Sequence, residues 1–352
     1  MLALDEGVGR LRVGDLELGV PVYLAPMAGV TNEAFRRLCH ERGATVVMSE
    51  MVSARALVMG NERTEAMLGV APDEHPVAVQ LFGSEPDIVA EAAVRAEAAG
   101  ADMVDLNLGC PVEKIVKGGN GAALMREPEQ AARVVERAVR ALRVPFTVKM
   151  RAGWDSVTAP ELARRLAGAG ARAVEVHCRT RAQQYTGTAD WTILEGVRQA
   201  VPDDVAVIGN GDVRSAADAL RVVREHGADG VMVGRGALGN PWLFTEIAQA
   251  LRTGEPPPPA ETALWQRLDT LLRHFELLRA LKGDAIAVVE IRRHAPHYVR
   301  GMPLAAEERV RLMECPTPSD FVAEVERYRA SIGAEPPPVA PAAAVHGDRG
   351  GR

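Results

Sequence analysis

The sequence predicts a TIM (β/α)8 barrel followed by a small C-terminal helical domain, and three observations indicate this fold class. Eight short runs rich in Val, Ile, Ala and Leu recur at intervals of about 30 residues, the length of one βα unit. At Gly100, Gly170 and Gly227 a helical segment ends in glycine and a strand follows at once, as in barrels. No GxGxxG sequence follows the first strand, which argues against a doubly wound dinucleotide-binding sheet.

The predicted strands are apolar on both faces, as expected for a parallel sheet covered by helices. They span residues 22–29, 45–51, 77–83, 103–110, 146–153, 173–180, 205–212 and 230–236. Helices are predicted over residues 32–42, 86–99, 128–142, 158–169, 214–226 and 241–251. The interval between the fourth and fifth strands is longer than the others, because a Lys- and Gly-rich segment follows Cys110. We expect a functional loop there, since long loops in compact domains usually carry function.

The chain divides into four predicted segments. These are a barrel domain over residues 1–252, a Pro-rich linker over 253–262, a helical domain over 263–332 and a disordered tail over 333–352. The 352 residues are 47% hydrophobic and 25% charged, which is typical of a globular protein. No secretory signal and no apolar stretch of about 20 residues is visible, so we expect a cytoplasmic protein without a membrane segment. The four cysteines are far apart and form no CxxC pair, so we expect neither a metal site nor disulfides.

Polar side chains gather at the carboxyl ends of the predicted strands, where barrel enzymes place their active sites. The residues expected at this rim are Pro26, Met27, Ala28, Gly29, Glu50, Gln80, Asn107, Cys110, Lys149, Arg151, His177, Arg179, Asn210, Gly211, Asp212, Gly234 and Arg235. So many polar groups on one rim, after strands that are otherwise apolar, predict an active site.

Four features of this rim indicate its chemistry. The sequences GNGD and GRGALGNP after the last two strands allow backbone amides to approach a phosphate, with Arg235 as a charged contact. Lys149 ends an apolar strand, so its amine needs a bound anionic or carbonyl partner, a Schiff base or an ion pair with Glu50. The Cys110 thiol could act as a nucleophile or as a proton donor. His177 and Arg179 suit a phosphate or a pyrimidine carbonyl.

Several longer segments carry a family resemblance. The segments APMAGVTNEAFR, DLNLGCPVEKIVKGGNGAALM, TVKMRAGWD, EVHCRTRAQQYTG and GVMVGRGALGNPWLF occur in this order, and together they resemble the tRNA-dihydrouridine synthases. The resemblance covers about residues 15–250, and Asn-x-Gly-Cys-Pro with the following Lys/Gly-rich loop is its most specific part. The helical C-terminal region resembles the tRNA-binding domain of the same family.

The resemblance implies an FMN enzyme that reduces the C5=C6 bond of specific uridines in tRNA, with electrons from NADPH. Hydride would pass from N5 of reduced FMN to C6 of the uracil, and Cys110 would donate the proton to C5. Pro26, Met27 and Ala28 would lie beside the flavin ring. Gln80 and Lys149 would hydrogen-bond the pyrimidine edge of the ring, with His177 near both flavin and substrate. The ribityl phosphate would be held by Asn210, Gly211, Asp212, Gly234 and Arg235.

A basic segment points independently to RNA. Between Ile291 and Gly301 the chain carries Arg292, Arg293 and Arg300 and no acid, although the whole protein has a net charge of −6. Such local concentration of positive charge in an acidic chain predicts a face for the phosphate backbone. The remaining residues expected to contact tRNA are Asn107, Lys114, Lys117, Arg179 and Arg181. We expect the protein to act as a monomer.

Two other functions are compatible with parts of this pattern. A flavin barrel acting on a free pyrimidine, like dihydroorotate or dihydropyrimidine dehydrogenases, would share the FMN site and the cysteine acid, but it would not explain the basic segment. A catalytically silent RNA-binding module would explain the basic segment but not the rim chemistry.

Overall fold

The computed structural model describes residues 11–257 and 263–334, and the strands and helices in these ranges are as follows. The strands are β1 Arg12–Val13, β2 Leu16–Glu17, β3 Val22–Leu24, β4 Val46–Met48, β5 Val52–Ser53, β6 Val77–Phe82, β7 Met103–Leu108, β8 Phe146–Arg151, β9 Ala173–His177, β10 Ala206–Asn210 and β11 Gly230–Val233. The helices are α1 Glu33–Glu41, α2 Ala54–Val58, α3 Glu62–Glu65, α4 Pro86–Ala98, α5 Glu113–Lys117, α6 Pro128–Val139, α7 Ala159–Gly168, α8 Ile193–Ala200, α9 Ala216–Arg224, α10 Leu243–Thr253, α11 Leu264–Lys282, α12 Asp284–Ile291, α13 Ala295–Tyr298, α14 Ala305–Glu314 and α15 Pro318–Ser331.

Eight parallel strands close into a barrel, which confirms the predicted fold class. Their order is β3, β4, β6, β7, β8, β9, β10 and β11, and β11 pairs back onto β3. The observed strands end before the predicted ones, because the last predicted residues of each run already belong to the loops of the carboxyl rim.

Alternate strand residues form two separate layers of core. Val46 and Met48 point into the barrel, while Val47 between them packs with the outer helices. This period of two explains why each strand is apolar on both faces. The hairpin formed by β1 and β2 was not predicted, and its residues Val13 and Leu18 are buried with the interior residues, so the hairpin closes the amino end of the barrel.

The six predicted barrel helices are present, with ends that differ from the predicted ones by three residues at most. Helix α8 was missed. It is short and contains Gly196, a residue that disfavours helix by about 1 kcal/mol relative to Ala. A Cβ at this position would lie 3.2 Å from Pro160 Cγ, so close packing against the start of α7 accounts for the glycine.

Helices α11 to α15 form the C-terminal helical part and pack against α1 of the barrel. At this contact the buried Phe35 ring lies 5.4 Å from the His274 ring and 5.1 Å from the His294 ring, measured between centroids. Residues 258–262 of the predicted linker and 335–352 of the predicted tail lie outside the described residues. Within the described ranges, every helix is too short or too polar to cross a membrane.

Candidate active site

A cavity of about 440 Å³ opens at the carboxyl ends of the barrel strands. All the residues predicted to bind the cofactor line it, together with the predicted acid. They are Pro26, Met27, Ala28, Gln80, Cys110, Lys149, His177, Asn210, Gly211, Asp212, Gly234 and Arg235. The structure thus brings together side chains from seven strands that are up to about 200 residues apart in the sequence.

Lys149 is a buried residue that lines this cavity. Its Nζ donates to Asn210 Oδ1 at 3.1 Å, and Asn210 is oriented by a bond from its own Nδ2 to the Met232 carbonyl. Burial, and then the charge of Arg151, lower the pKa of Lys149 to about 8. The ion pair with Glu50, one of the alternatives left open by the sequence, is not formed, and the Glu50 carboxylate accepts from the Gly29 amide. The amine therefore has N–H groups left for a ligand in the cavity.

His177 ends β9 and is neutral at physiological pH. Burial, followed by the charges of Lys149, Arg151 and Arg179, lowers the pKa of His177 to about 2. Behind the ring, Gly211 has φ +112°, and a Cβ there would lie 2.9 Å from His177 Cδ2. Gly211 thereby keeps both the imidazole and the turn after β10 in place.

Cys110 is held by a tight turn at the end of β7. The Oδ1 atom of Asn107 accepts from the amides of Gly109 at 3.1 Å and Cys110 at 2.8 Å. Of the four cysteines, three are buried and Cys110 alone is partly exposed. Partial burial raises the pKa of the Cys110 thiol, so the protonated form dominates at neutral pH. The segment that follows is more ordered than the predicted loop, since it contains α5 and a 3-10 turn over Gly121–Arg126.

Arg151 connects the Cys110 turn to the loop after β9, a role that the sequence analysis did not assign. Its Nε donates to the Gly109 carbonyl at 2.9 Å, and its Nη1 donates to the carbonyls of Thr180 and Gln184. The sequence feature that could have predicted this role is the position of Arg151 two residues after Lys149. This spacing places both side chains on the inner face of β8.

Arg179 does not face the cavity as expected. Its side chain is 1% exposed, and its Nη2 donates to Asp212 Oδ2 and to the Gly187 carbonyl. Arg181, also predicted to contact RNA, packs its guanidinium 4.6 Å from the centroid of the Trp154 ring. Arg179 uses its N–H groups within the loop after β9, whereas Arg181, in the same loop, contributes the cation–π contact with Trp154.

Asp212 lies at the glycine-rich end of the cavity among three arginines. Its Oδ2 accepts from Arg179 and from the Ala189 amide, while Arg214 and Arg235 approach its Oδ1 at 3.1 and 3.7 Å. Burial alone would raise the pKa of Asp212, but these hydrogen bonds outweigh burial and lower it. Three guanidinium groups around one carboxylate leave an excess of positive charge beside Gly211 and Gly234, which suits a phosphate. Arg214 was missed by the sequence analysis.

A second cavity, of about 1160 Å³, adjoins the first and runs between the barrel and the helical part. We call it the basic groove, and its lining includes Arg214, Arg235, Arg267 and Arg300. His297 also lines it, but burial and the charge of Arg300 lower the pKa of this histidine. Arg300 was predicted for an RNA face, whereas Arg267 was not, because it lies on α11, far from the basic segment in the sequence.

The other predicted RNA contacts are scattered. Arg292 is half-buried and donates to the Cys315 carbonyl, and Arg293 donates to the Gly29 carbonyl at 3.2 Å. Lys117 is exposed and pairs with Glu113 one helical turn away on α5, and Lys114 is also exposed. The basic segment therefore does not form one continuous face, and only Arg300 of its three arginines lines the basic groove.

A closed parallel barrel with a cavity at its carboxyl rim, lined by a buried lysine and a partly exposed thiol, defines a TIM-barrel enzyme. Residues 23–332 match the family described as "Dihydrouridine synthase (Dus)", and the chain belongs to this family. The family relation confirms the resemblance seen in the motifs.

Relatives are similar over most of their length. The chain is 42% identical to "Probable tRNA-dihydrouridine synthase" of Rickettsia prowazekii, over 87% of this chain and 94% of the relative. It is 38% identical to "tRNA-dihydrouridine synthase B" of Xanthomonas axonopodis pv. citri, over 93% and 98%. Among solved structures, histamine dehydrogenase from Rhizobium sp. 4-9 shares the fold with a TM-score of 0.56 at 13% identity, over 76% of this chain and 51% of that chain.

Proposed function

We propose that this protein reduces the C5=C6 bond of uridines in tRNA to give 5,6-dihydrouridine, using FMN and NADPH. The observation that carries the proposal is the single cavity in which Lys149, His177 and the glycine-rich ends of β10 and β11 lie together with Cys110. The names of the relatives support tRNA as the substrate. Four free cysteines suit the reducing cytoplasm, where tRNA is found.

The cavity residues fit FMN in charge and in shape. Lys149 and one free N–H of Gln80 would hold the pyrimidine edge of the ring, with Pro26, Met27 and Ala28 along it. The excess of positive charge around Asp212 and the backbone at Gly211 and Gly234 would hold the phosphate, and Asn210 keeps Lys149 in place. At Gly234 the nearest atoms to an added Cβ are 3.6 Å away or more, so this glycine leaves room beside its backbone.

The residues of this chain would then donate the proton and hydrogen-bond the substrate. Bound FMN would supply the hydride chemistry, with NADPH as the electron source and C6 of the uracil ring as the acceptor. Cys110 donates its S–H proton to C5, which completes the saturation of the bond and leaves a thiolate that solvent reprotonates. The nearby Arg151 charge favours this thiolate electrostatically. Neutral His177 offers a hydrogen bond without adding positive charge.

The basic groove supports a polynucleotide substrate over a free pyrimidine. It shares Arg214 and Arg235 with the active-site cavity, so a phosphate backbone lying along it would leave a flipped-out uridine within reach of Cys110. A free base would have no use for the arginines of the groove. We propose that one protomer suffices for this arrangement, since the residues named all come from one chain.

The test is the reaction of the purified, chemically reduced protein with two acceptors. Unmodified tRNA is expected to reoxidise the bound flavin and to gain dihydrouridine, whereas free uridine at the same concentration is expected to do neither. A protein that binds no flavin, or one that turns over free uridine as fast as tRNA, would contradict the proposal. Mapping dihydrouridine in cells with and without the protein identifies the modified position.

A further inference from the structure

A continuous chain of hydrogen bonds leads from the barrel interior to the backbone of Cys110. Gln80 Nε2 donates to Asp105 Oδ2 at 2.7 Å, and Asn107 Nδ2 donates to Gln80 Oε1 at 2.8 Å. Asn107 Oδ1 then accepts from the Cys110 amide at 2.8 Å. Gln80 and Asp105 are direct partners in the register of β6 and β7, so the sheet itself sets the first link.

The groups at both ends of this hydrogen-bond series determine which atom donates and which accepts at every link. At the Cys110 end the partners of Asn107 Oδ1 are backbone N–H groups, which only donate. Asn107 must therefore turn its NH2 group toward Gln80, and Gln80 must present its oxygen to Asn107 and its NH2 group to the next residue. That residue has to be an acceptor. Asp105 meets this requirement, and its other oxygen accepts from Thr147 Oγ1 at 2.8 Å.

We propose that Asp105 is a positioning residue for Cys110, acting through Gln80 and Asn107 to hold the turn that carries the thiol. The inference rests on the proposed role of Cys110 as proton donor. Asp105 is fully buried, as are Gln80 and Thr147, so water does not compete for these bonds. Burial raises the pKa of both Asp105 and Glu175, and the Asp105 charge raises that of Glu175 further, to well above its ordinary value. The hydrogen bonds from Gln80 and Thr147 oppose the rise for Asp105, so Glu175 is the neutral group and Asp105 the acceptor.

Alkylation of Cys110 by iodoacetamide in the full-length protein tests the proposal without any turnover. The other three cysteines are buried, so the mass of the Cys110 peptide reports one site. Asp105→Leu removes the acceptor at similar volume, and we expect alkylation about tenfold faster, because loss of a buried hydrogen bond loosens the turn. Tyr23→Phe is the matched control. It removes a buried hydroxyl that has no hydrogen-bond partner among the described residues, and we expect an unchanged rate.

Asp105→Asn separates the acceptor role from simple space filling. Its Oδ1 can still accept from Gln80 while its NH2 group donates to the Thr147 hydroxyl, so we expect a rate within about threefold of the parent protein. If Asp105→Leu does not fold, Gln80→Leu breaks the next link and is expected to give the same tenfold increase. Folded Leu variants that alkylate at the parent rate, or an Asn variant as fast as the Leu variant, would overturn the proposal.

This readout is independent of the proposed reaction. If Cys110→Ala still forms dihydrouridine, Cys110 loses its role as the proton donor, yet the alkylation series continues to report whether Asp105 positions the turn. If the alkylation series fails while Cys110→Ala is inactive, the thiol is catalytic and its placement depends on other contacts.

Discussion

The buried Arg179 and the partly exposed Asp212 form an ion pair that joins the loop after β9 to the end of β10. Arg179 Nη2 lies 2.5 Å from Asp212 Oδ2, and the same guanidinium group donates to the carbonyls of Thr186 and Gly187. The arginine therefore shapes the wall of the cavity from behind, because Asp212 and its turn line the cavity directly.

Replacing Arg179 by Leu should destabilise the fold by about 2 kcal/mol, because the carbonyls of Thr186 and Gly187 lose their donor. Asp212 loses one charge-assisted bond but keeps its pair with Arg214. Chemical denaturation measures the change. Arg172→Leu is the control, since its pair with Asp204 is exposed and exposed pairs contribute about 1 kcal/mol or less. If Arg179→Leu keeps its stability but loses tRNA affinity, the arginine contacts RNA after all.

Replacing Cys110 by Ala should lower the rate of dihydrouridine formation by about 10²- to 10⁴-fold, the usual contribution of a positioned acid. Affinity for tRNA should stay the same, as measured by filter binding. Because burial raises the pKa of Cys110 above its ordinary value of 9.0, the rate of alkylation should still be increasing with pH at 9.0 and should level off only above that pH. Unchanged product formation by the Ala variant would exclude this role.

Flavin affinity should depend on pH through Lys149. The fold holds the pKa of Lys149 at about 8 against an ordinary 10.5, so the cofactor-free amine loses its proton above about pH 8. Acceptors on the flavin edge favour the protonated amine, and affinity should fall as pH rises above 8, by up to about tenfold per pH unit. Titrations of FMN between pH 7 and 9.5 measure this slope.

The Lys149→Met variant serves as the control for that titration, because it has no proton to lose and should show a flat profile with weaker binding. Linkage provides a second check of the sign. Between pH 8 and 10.5 the unfolded chain binds a proton that the folded chain does not, so the stability of the cofactor-free protein should rise with pH. A decrease over this window would contradict the lowered pKa.

Neutralising the basic groove should weaken tRNA binding. Arg267→Gln and Arg300→Gln are each expected to lower affinity and to reduce the slope of log K against log salt by about 1. The control is Arg164→Gln on the outer helix α7, whose guanidinium pairs with Glu161 on the same helix. Equal slopes for the groove variants and the control would place the RNA elsewhere. Arg292→Gln should leave the slope unchanged, because its guanidinium bonds the Cys315 carbonyl.

The barrel was predictable from sequence because both faces of each strand are buried and therefore apolar. One face packs against the outer helices, and the other packs against side chains inside the barrel. Val46, Val47 and Met48 illustrate this, since consecutive residues enter different cores and all three are apolar. Glycine-rich strand ends also marked the cavity correctly. Helix α8 could not be predicted from its sequence, because Gly196 lowers its helix propensity. The glycine is required there by close packing against α7.

The direction of single side chains beyond the strand ends was harder to predict. His177 and Arg179 are two residues apart, and strand alternation would place both on the inner face. However, β9 ends at His177, so alternation no longer applies to Arg179, which turns toward Asp212 instead. Arg267 joins the basic groove through the packing of α11 against the barrel, a long-range relationship with no local signal.

The contact between Arg293 and the Gly29 carbonyl has a practical consequence for anyone who shortens this protein. The segment from Pro26 to Gly29 borders the cavity. The C-terminal helices hold this segment through the Arg293 bond to Gly29, and Glu290 accepts a hydrogen bond from Asn32 just beyond it. Truncation at residue 257 would uncover the Phe35 ring and release this stretch on one side. The barrel is thus not a self-sufficient module, because the C-terminal helices support one wall of its cavity.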